Sequence, residues 1–171
     1  SGQQPRLASF AQQRQWLFWT LEPESVAYHT PIIVKLSGTL DRQALEQTFA
    51  ALAARHEAFR TRFVLDGDVL CQQVDAESRV TVQWQALSGA VEPAVLAETH
   101  ALFDLAEGPL MRVKVFQIEP QQHLLVVTLH HIISDGASMG VLGREFAALY
   151  AAFQAGETLA LPALTVQYAD Y

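Results

Sequence analysis

The residues of this chain best suited to chemistry form one short run, His130-His131-Ile132-Ile133-Ser134-Asp135-Gly136. A histidine titrates near neutral pH, so its ring can accept, donate or hold a proton during a reaction. The pair closes a Leu- and Val-rich stretch, Leu124 to Ile133, that reads as a buried strand. Successive strand side chains point to opposite faces, so the two rings cannot easily share one metal ion or one substrate. One should face the core and the other a cavity, and His131, nearer the turn, is the candidate for the exposed one. Asp135 lies past the strand end, where a buried carboxylate needs a partner. Gly136 allows a ligand to approach the backbone closely, and Ser138 can cap a following helix. These residues fit either a catalytic histidine at a strand end or a structural histidine pair. A metal site is not expected, because His29, His56, His100 and His123 stand at no ligand-like spacing from the pair.

The remaining composition narrows the setting of that run. A length of 171 residues suits one compact unit or a piece of a larger one, and a chain that is 50% hydrophobic and 17% charged can build a core. A net charge of −7, with eleven scattered Lys and Arg, argues against a nucleic-acid surface. Cys71 is the single cysteine, so an internal disulfide and a thiolate zinc cluster are excluded; it reads as a small apolar strand residue. No apolar run reaches the roughly 20 residues that a membrane span needs, and no signal segment opens the chain. The expectation is a soluble cytoplasmic protein with neither membrane nor nucleic acid as partner. Ser1-Gly2 resembles a tag remnant, and the Leu-Pro-rich stretch beyond Gly156 reads as an end cut before its next element.

Several elements must position the histidines. Ser9 to Leu21 suits a helix with a broad apolar face, and Ile32 to Leu36 a strand between Pro31 and Gly38. Asp41 can cap a helix running to about Ala58, with Leu45, Phe49 and Leu52 at helical spacing. Thr61 to Leu65 and Val69 to Val74 flank Asp66-Gly67-Asp68, a hairpin signal. Val80 to Trp84 alternates as a strand, and Glu92 to Phe103 returns to helical spacing. Val113 to Ile118 and Leu124 to Ile133 are strands joined by Glu119-Pro120-Gln121-Gln122. Ser138 to Phe153 is a helix with Val141, Leu142, Phe146, Leu149 and Tyr150 on its apolar face. Strands and helices interleave, so the class is α/β, with a hairpin-rich, largely antiparallel mixed sheet covered by helices.

The histidine run is similar to the HHxxxDG motif of nonribosomal peptide synthetase condensation domains. Three further segments agree with that family in type and order. Ser9-Phe10-Ala11-Gln12-Gln13-Arg14-Gln15-Trp16 resembles its opening motif, and Arg55-His56-Glu57-Ala58-Phe59-Arg60-Thr61-Arg62-Phe63 its second, RHExLRTxF. Tyr168-Ala169-Asp170-Tyr171 resembles the start of its fourth. Phe103-Asp104-Leu105 with Gly108-Pro109-Leu110 also resembles a recurrent family segment. The resemblance covers residues 1–171 but only the amino-terminal half of the family's domain. It implies a fold related to chloramphenicol acetyltransferase, in which two such halves form a V around a tunnel.

The family's reaction, part of antibiotic and siderophore biosynthesis, joins acyl groups held as thioesters on the 4'-phosphopantetheine arms of donor and acceptor peptidyl carrier proteins. No cofactor is bound by the domain itself. The resemblance makes His131 the catalytic residue, either as general base for the acceptor amine or by orienting it and stabilising the tetrahedral intermediate. An α-amine titrates at about 7.7–8.0, so a strong base is not obligatory. Gly136 would lie beside the phosphopantetheine thioester, His130 would point inward and hold the loop, and Asp135 would pair with Arg60, or with Arg62 as the fallback. Trp16 and Arg14 would be packing residues. Ala137 stands where the family commonly has a bulky aromatic. Without the C-terminal subdomain, half a tunnel is not expected to be active. The alternatives are a CoA-dependent acyltransferase and a noncatalytic module that docks a carrier protein.

Overall fold

A computed structural model describes residues 6–134 and 136–156, with positions 136–138 described by backbone alone. The order is β1 (Arg6–Leu7), α1 (Phe10–Leu21), β2 (His29–Ser37), α2 (Arg42–Arg55), β3 (Thr61–Asp66) and β4 (Val69–Val74). There follow β5 (Val82–Ala86), α3 (Val91–His100), β6 (Met111–Glu119), β7 (Gln122–His130) and α4 (Gly136–Gln154). Two short 3-10 turns, Glu57–Arg60 and His131–Ile133, interrupt the chain between larger elements.

The strands form two sheets, ordered β1-β4-β3 and β2-β7-β6-β5. Among the described residues only β5 and β6 pair in parallel, and α3 lies on the crossover that joins them. The expected α/β class with mixed, largely antiparallel sheets and covering helices is the one observed. In the larger sheet β7 runs between β2 and β6, antiparallel to both. Its run Leu-Leu-Val-Val-Thr-Leu shows no alternation of apolar and polar residues, because both faces of the strand are covered. Leu125, Val126, Val127, Thr128 and Leu129 are all buried. Pro31 is tolerated in β2 because β2 is an edge strand, where a missing N–H breaks no ladder on its outer side.

The core is continuous from α2 through the sheet. Leu45, Leu52, Phe63, Leu110, Leu129 and Ile132 are almost wholly removed from solvent. Each such side chain contributes about 1.5–3 kcal/mol relative to exposure, so this layer fixes the sheet that carries the histidines. Helices α2 and α4 pack on one another, with the Phe49 and Phe146 rings 5.5 Å apart. The Tyr150 hydroxyl accepts the backbone N–H of Asp41 at 3.1 Å, tying α4 to the start of α2. Cys71 is buried in β4, as its apolar reading expects.

Several boundaries differ from the sequence expectation, each for a local reason. Strand β7 stops at His130 instead of continuing to Ile133, because the His130 ring takes the Ile132 N–H and turns the chain into 3-10 geometry. Helix α2 ends at Arg55, three residues before Ala58, where the His56 N–H closes on Leu52. Helix α3 ends at His100. Around that end, side chains of His29 and Arg112 take up the carbonyls of Glu98, Thr99 and Leu102. Helix α4 begins at Gly136, so Ser138 lies within it and is not its cap. Helix α1 carries the expected apolar residues, but they are not a buried face: Phe10 is 76% and Leu21 69% exposed, while Trp16 and Trp19 pack on the core. Arg14 is exposed, which removes it from the packing role expected for it. Tyr168 to Tyr171 lie outside the described residues.

Candidate active site

The site is built at the carboxyl end of β7. The last N–H of the strand, on His130, donates to the Leu110 carbonyl at 3.0 Å, next to the start of β6. The His130 Nδ1 then accepts the Ile132 N–H at 3.1 Å, a side-chain cap on the 3-10 turn that follows. Ile132 and Ile133 plunge into the core at 1% and 2% exposure. His131, between the buried His130 and the buried Ile132, is therefore turned outward and exposed. Its backbone is pinned on both sides: its N–H donates to the Tyr28 carbonyl at 2.7 Å, and its own carbonyl accepts the Ser134 N–H at 3.1 Å. An exposed imidazole on a rigidly held turn is the geometry in which a side chain can meet a substrate without searching for it.

His130 sits in the opposite environment, at 3% exposure. Burial, followed by the nearby His29 and His131 rings, pushes its pKa down to about 4. Accepting the Ile132 N–H on Nδ1 requires a lone pair there, which agrees with a neutral ring. His29 stands directly opposite His130 in the β2–β7 ladder, with ring centroids 6.1 Å apart. Phe103 presents edge-to-face geometry to both, at 5.0 Å from His29 and 5.9 Å from His130. The Arg112 guanidinium lies 4.1 Å over the Phe103 ring.

The other expected site residues are placed as follows. Asp135 lies outside the described residues, and Gly136 opens α4. Arg60 directs its guanidinium to main-chain carbonyls: Ala53 at 2.9 Å and Ala54 at 3.3 Å near the end of α2, and Asp75 at 2.7 Å beyond β4. Arg62 reaches the Asp75 carboxylate and the Ala106 carbonyl, each at 3.3 Å. Among the described residues no group of three or more His, Cys, Asp or Glu is placed to hold a metal ion. None of the helices described there is long and apolar enough to cross a membrane.

Two contributors escape the sequence alone, and a third leaves only a trace there. Tyr28 acts through its carbonyl and has no side-chain signal. His29 enters the sequence reading only as a poorly spaced metal ligand. Glu145 leaves a readable trace, since it falls on the apolar face of α4 between Leu142 and Leu149, where a carboxylate must have partners. Arg55 and His56 supply them, Arg55 Nε at 2.8 Å from Glu145 Oε1.

Comparison with known proteins agrees with this architecture. A family model described as condensation domain matches residues 3–171. Malpinin synthetase of Mortierella alpina is 38% identical over 169 residues, covering 95% of this chain and 2% of the relative. Surfactin synthase subunit 1 of Bacillus subtilis is 36% identical over 163 residues, covering 95% of this chain and 4% of the relative. The X-domain from teicoplanin biosynthesis, in a complex with OxyB, matches with a TM-score of 0.87 and 31% identity, over 100% of this chain and 38% of that one. The chain thus spans a small fraction of these synthetases and under half of the solved domain, and its fold is the chloramphenicol-acetyltransferase-like one that the motifs implied. The chain belongs to the condensation domain family.

Proposed function

We propose that residues 1–171 form the N-terminal subdomain of a domain that makes peptide bonds between carrier-bound thioesters, with His131 at the reaction centre. The observation that carries this reading is the division of labour at the end of β7. His130 is buried, neutral and used as a cap, while the adjacent His131 is exposed on a turn held by Tyr28 and Ser134. A purely structural pair would give no reason to leave one ring exposed on a backbone so firmly held.

In this reading the amine of the acceptor aminoacyl group attacks the donor thioester carbonyl. The C–N bond forms, the tetrahedral intermediate collapses, and the C–S bond breaks to release the donor arm as a thiol. One amine proton is transferred in net terms to that sulfur. His131 orients the amine and carries or stabilises the proton in transit. Gly136 leaves room for the phosphopantetheine arm, and Asp135 has a structural role as the partner of Arg60. Donor and acceptor carrier proteins and a C-terminal subdomain complete the site, and the domain binds no cofactor of its own.

The test is His131→Ala in the complete domain, supplied with carrier-bound donor and acceptor. Amide formation should fall at least about a hundredfold with the thermal unfolding profile unchanged. Turnover within a few-fold of the parent would remove His131 from the reaction. A second reading, docking without catalysis, is favoured by the X-domain relative, whose structure holds a bound OxyB. Saturable binding of a loaded carrier protein, with no amide formed by the complete parent domain, would select it.

A further inference from the structure

Both histidines of the reaction motif depend on the first strand of the larger sheet. Tyr28, immediately before β2, holds the backbone of His131 through its carbonyl at 2.7 Å. The next residue, His29, faces His130 across the ladder. The His29 ring is not free to rotate. Its Nδ1–H donates to the Thr99 carbonyl at the end of α3, 2.9 Å away, which also fixes the tautomer of the neutral ring. Phe103 then wedges edge-on against His29 and His130 at once, with interplanar angles of 80° and 86°. Arg112 covers the Phe103 ring and bonds the carbonyls of Glu98 and Leu102, closing the end of α3 around the cluster.

We propose that His29 is a positioning residue for the reaction at His131. Its ring, locked on Thr99 and packed against Phe103 and His130, sets the attitude of the His130 ring whose Nδ1 shapes the turn carrying His131. This rests on His131 being the reacting group, and it adds a residue from a different strand to the machinery. Burial lowers the pKa of His29 as well, against the Thr99 hydrogen bond, with Arg112 and His100 adding to the lowering. A neutral His29 suits the role, since it donates Nδ1–H to the Thr99 carbonyl without placing an uncompensated charge in this cluster.

The chemistry separates the two parts of the proposed role. His29→Asn retains an N–H for the Thr99 carbonyl, His29→Phe retains a ring for Phe103, and His29→Ala retains neither. In the complete domain with carrier-bound substrates, His29→Ala should lower kcat by about tenfold to a hundredfold and leave KM within about twofold, as misplacement of a reacting group does. His29→Asn should recover most of that loss. The imidazole resonances of His131 should shift in His29→Ala and return towards the parent in His29→Asn. Parent-like kcat in a folded His29→Ala or, if that variant does not fold, in a folded His29→Leu, which likewise retains neither the N–H nor the ring, would overturn the proposal. Unchanged His131 resonances would do the same. His131→Ala, assayed in parallel, keeps the two ideas apart. Loss of activity there with normal His29 variants sinks positioning alone, whereas normal activity there sinks the reading beneath it.

Discussion

Glu145 on α4 accepts hydrogen bonds from two consecutive residues of the second family motif, Arg55 and His56, so that motif fastens the helix following the histidine turn. All three side chains are only 11–17% exposed. Burial alone would raise the Glu145 carboxyl, but the hydrogen bonds and positive charge of His56 and Arg55 outweigh it and hold the pKa below its ordinary value. Glu145→Ala should therefore cost about 3 kcal/mol, because it removes the carboxylate that two largely buried donors share. The native carboxylate contributes stability that is present above its unfolded pKa and lost as pH falls through the depressed folded one. Urea unfolding across acidic pH should accordingly show an acid limb that is shallower in Glu145→Gln. Superimposable pH profiles for the two proteins would refute the clip.

The contrast between what is readable at the histidine run and what is not has a physical basis. Hydrophobic periodicity identifies β7 and α4 because burial is a property of each residue in its own element. Strand alternation also singles out His131 as the exposed ring, although the mechanism differs: a capped 3-10 turn directs it outward, rather than the pleat of a continuing strand. Contacts made by carbonyls, such as Tyr28 to His131, carry no side-chain signature, and the pairing of His29 with His130 depends on a register that sequence alone does not fix. Arg60 is ambiguous in a different way, because a guanidinium at a helix end satisfies carbonyls as readily as a carboxylate.

His130 makes stability depend on pH in a separate window. Its folded pKa of about 4 lies below the ordinary value of 6.5, so the unfolded chain binds the proton first. Stability from the neutral buried ring is complete above about pH 6.5 and declines as pH falls towards 4, by roughly 3 kcal/mol in all. Imidazole resonances followed by NMR in the folded protein should show His130 still neutral at about pH 5. A midpoint at the ordinary value for that ring would contradict its burial and its role as acceptor for Ile132.

Trp19 supplies a polar anchor for a helix on which Phe10, Leu17 and Leu21 are widely exposed. Its indole Nε1–H donates to the Phe103 carbonyl at 3.1 Å, beside the cluster behind His130. Trp19→Phe keeps most of the packing and removes that bond, so stability should fall by about 1 kcal/mol. Calorimetry on the two proteins reads this directly. An unaltered transition would mean that α1 is held by packing alone.

Arg60 bonds three carbonyls, and the proposed pairing with Asp135 would draw on the same guanidinium. The two roles separate in a double-mutant cycle. Arg60→Met removes both and should cost about 2–3 kcal/mol, since hydrogen bonds from a charged donor exceed neutral ones. Asp135→Asn removes only the charge of the pair. If the pair forms, the double variant should be less destabilised than the sum of the singles by at least about 1 kcal/mol, which lies outside the additivity of independent sites. Strict additivity would instead leave Arg60 as a clasp between the end of α2 and the end of β4, and Asp135 would need another partner.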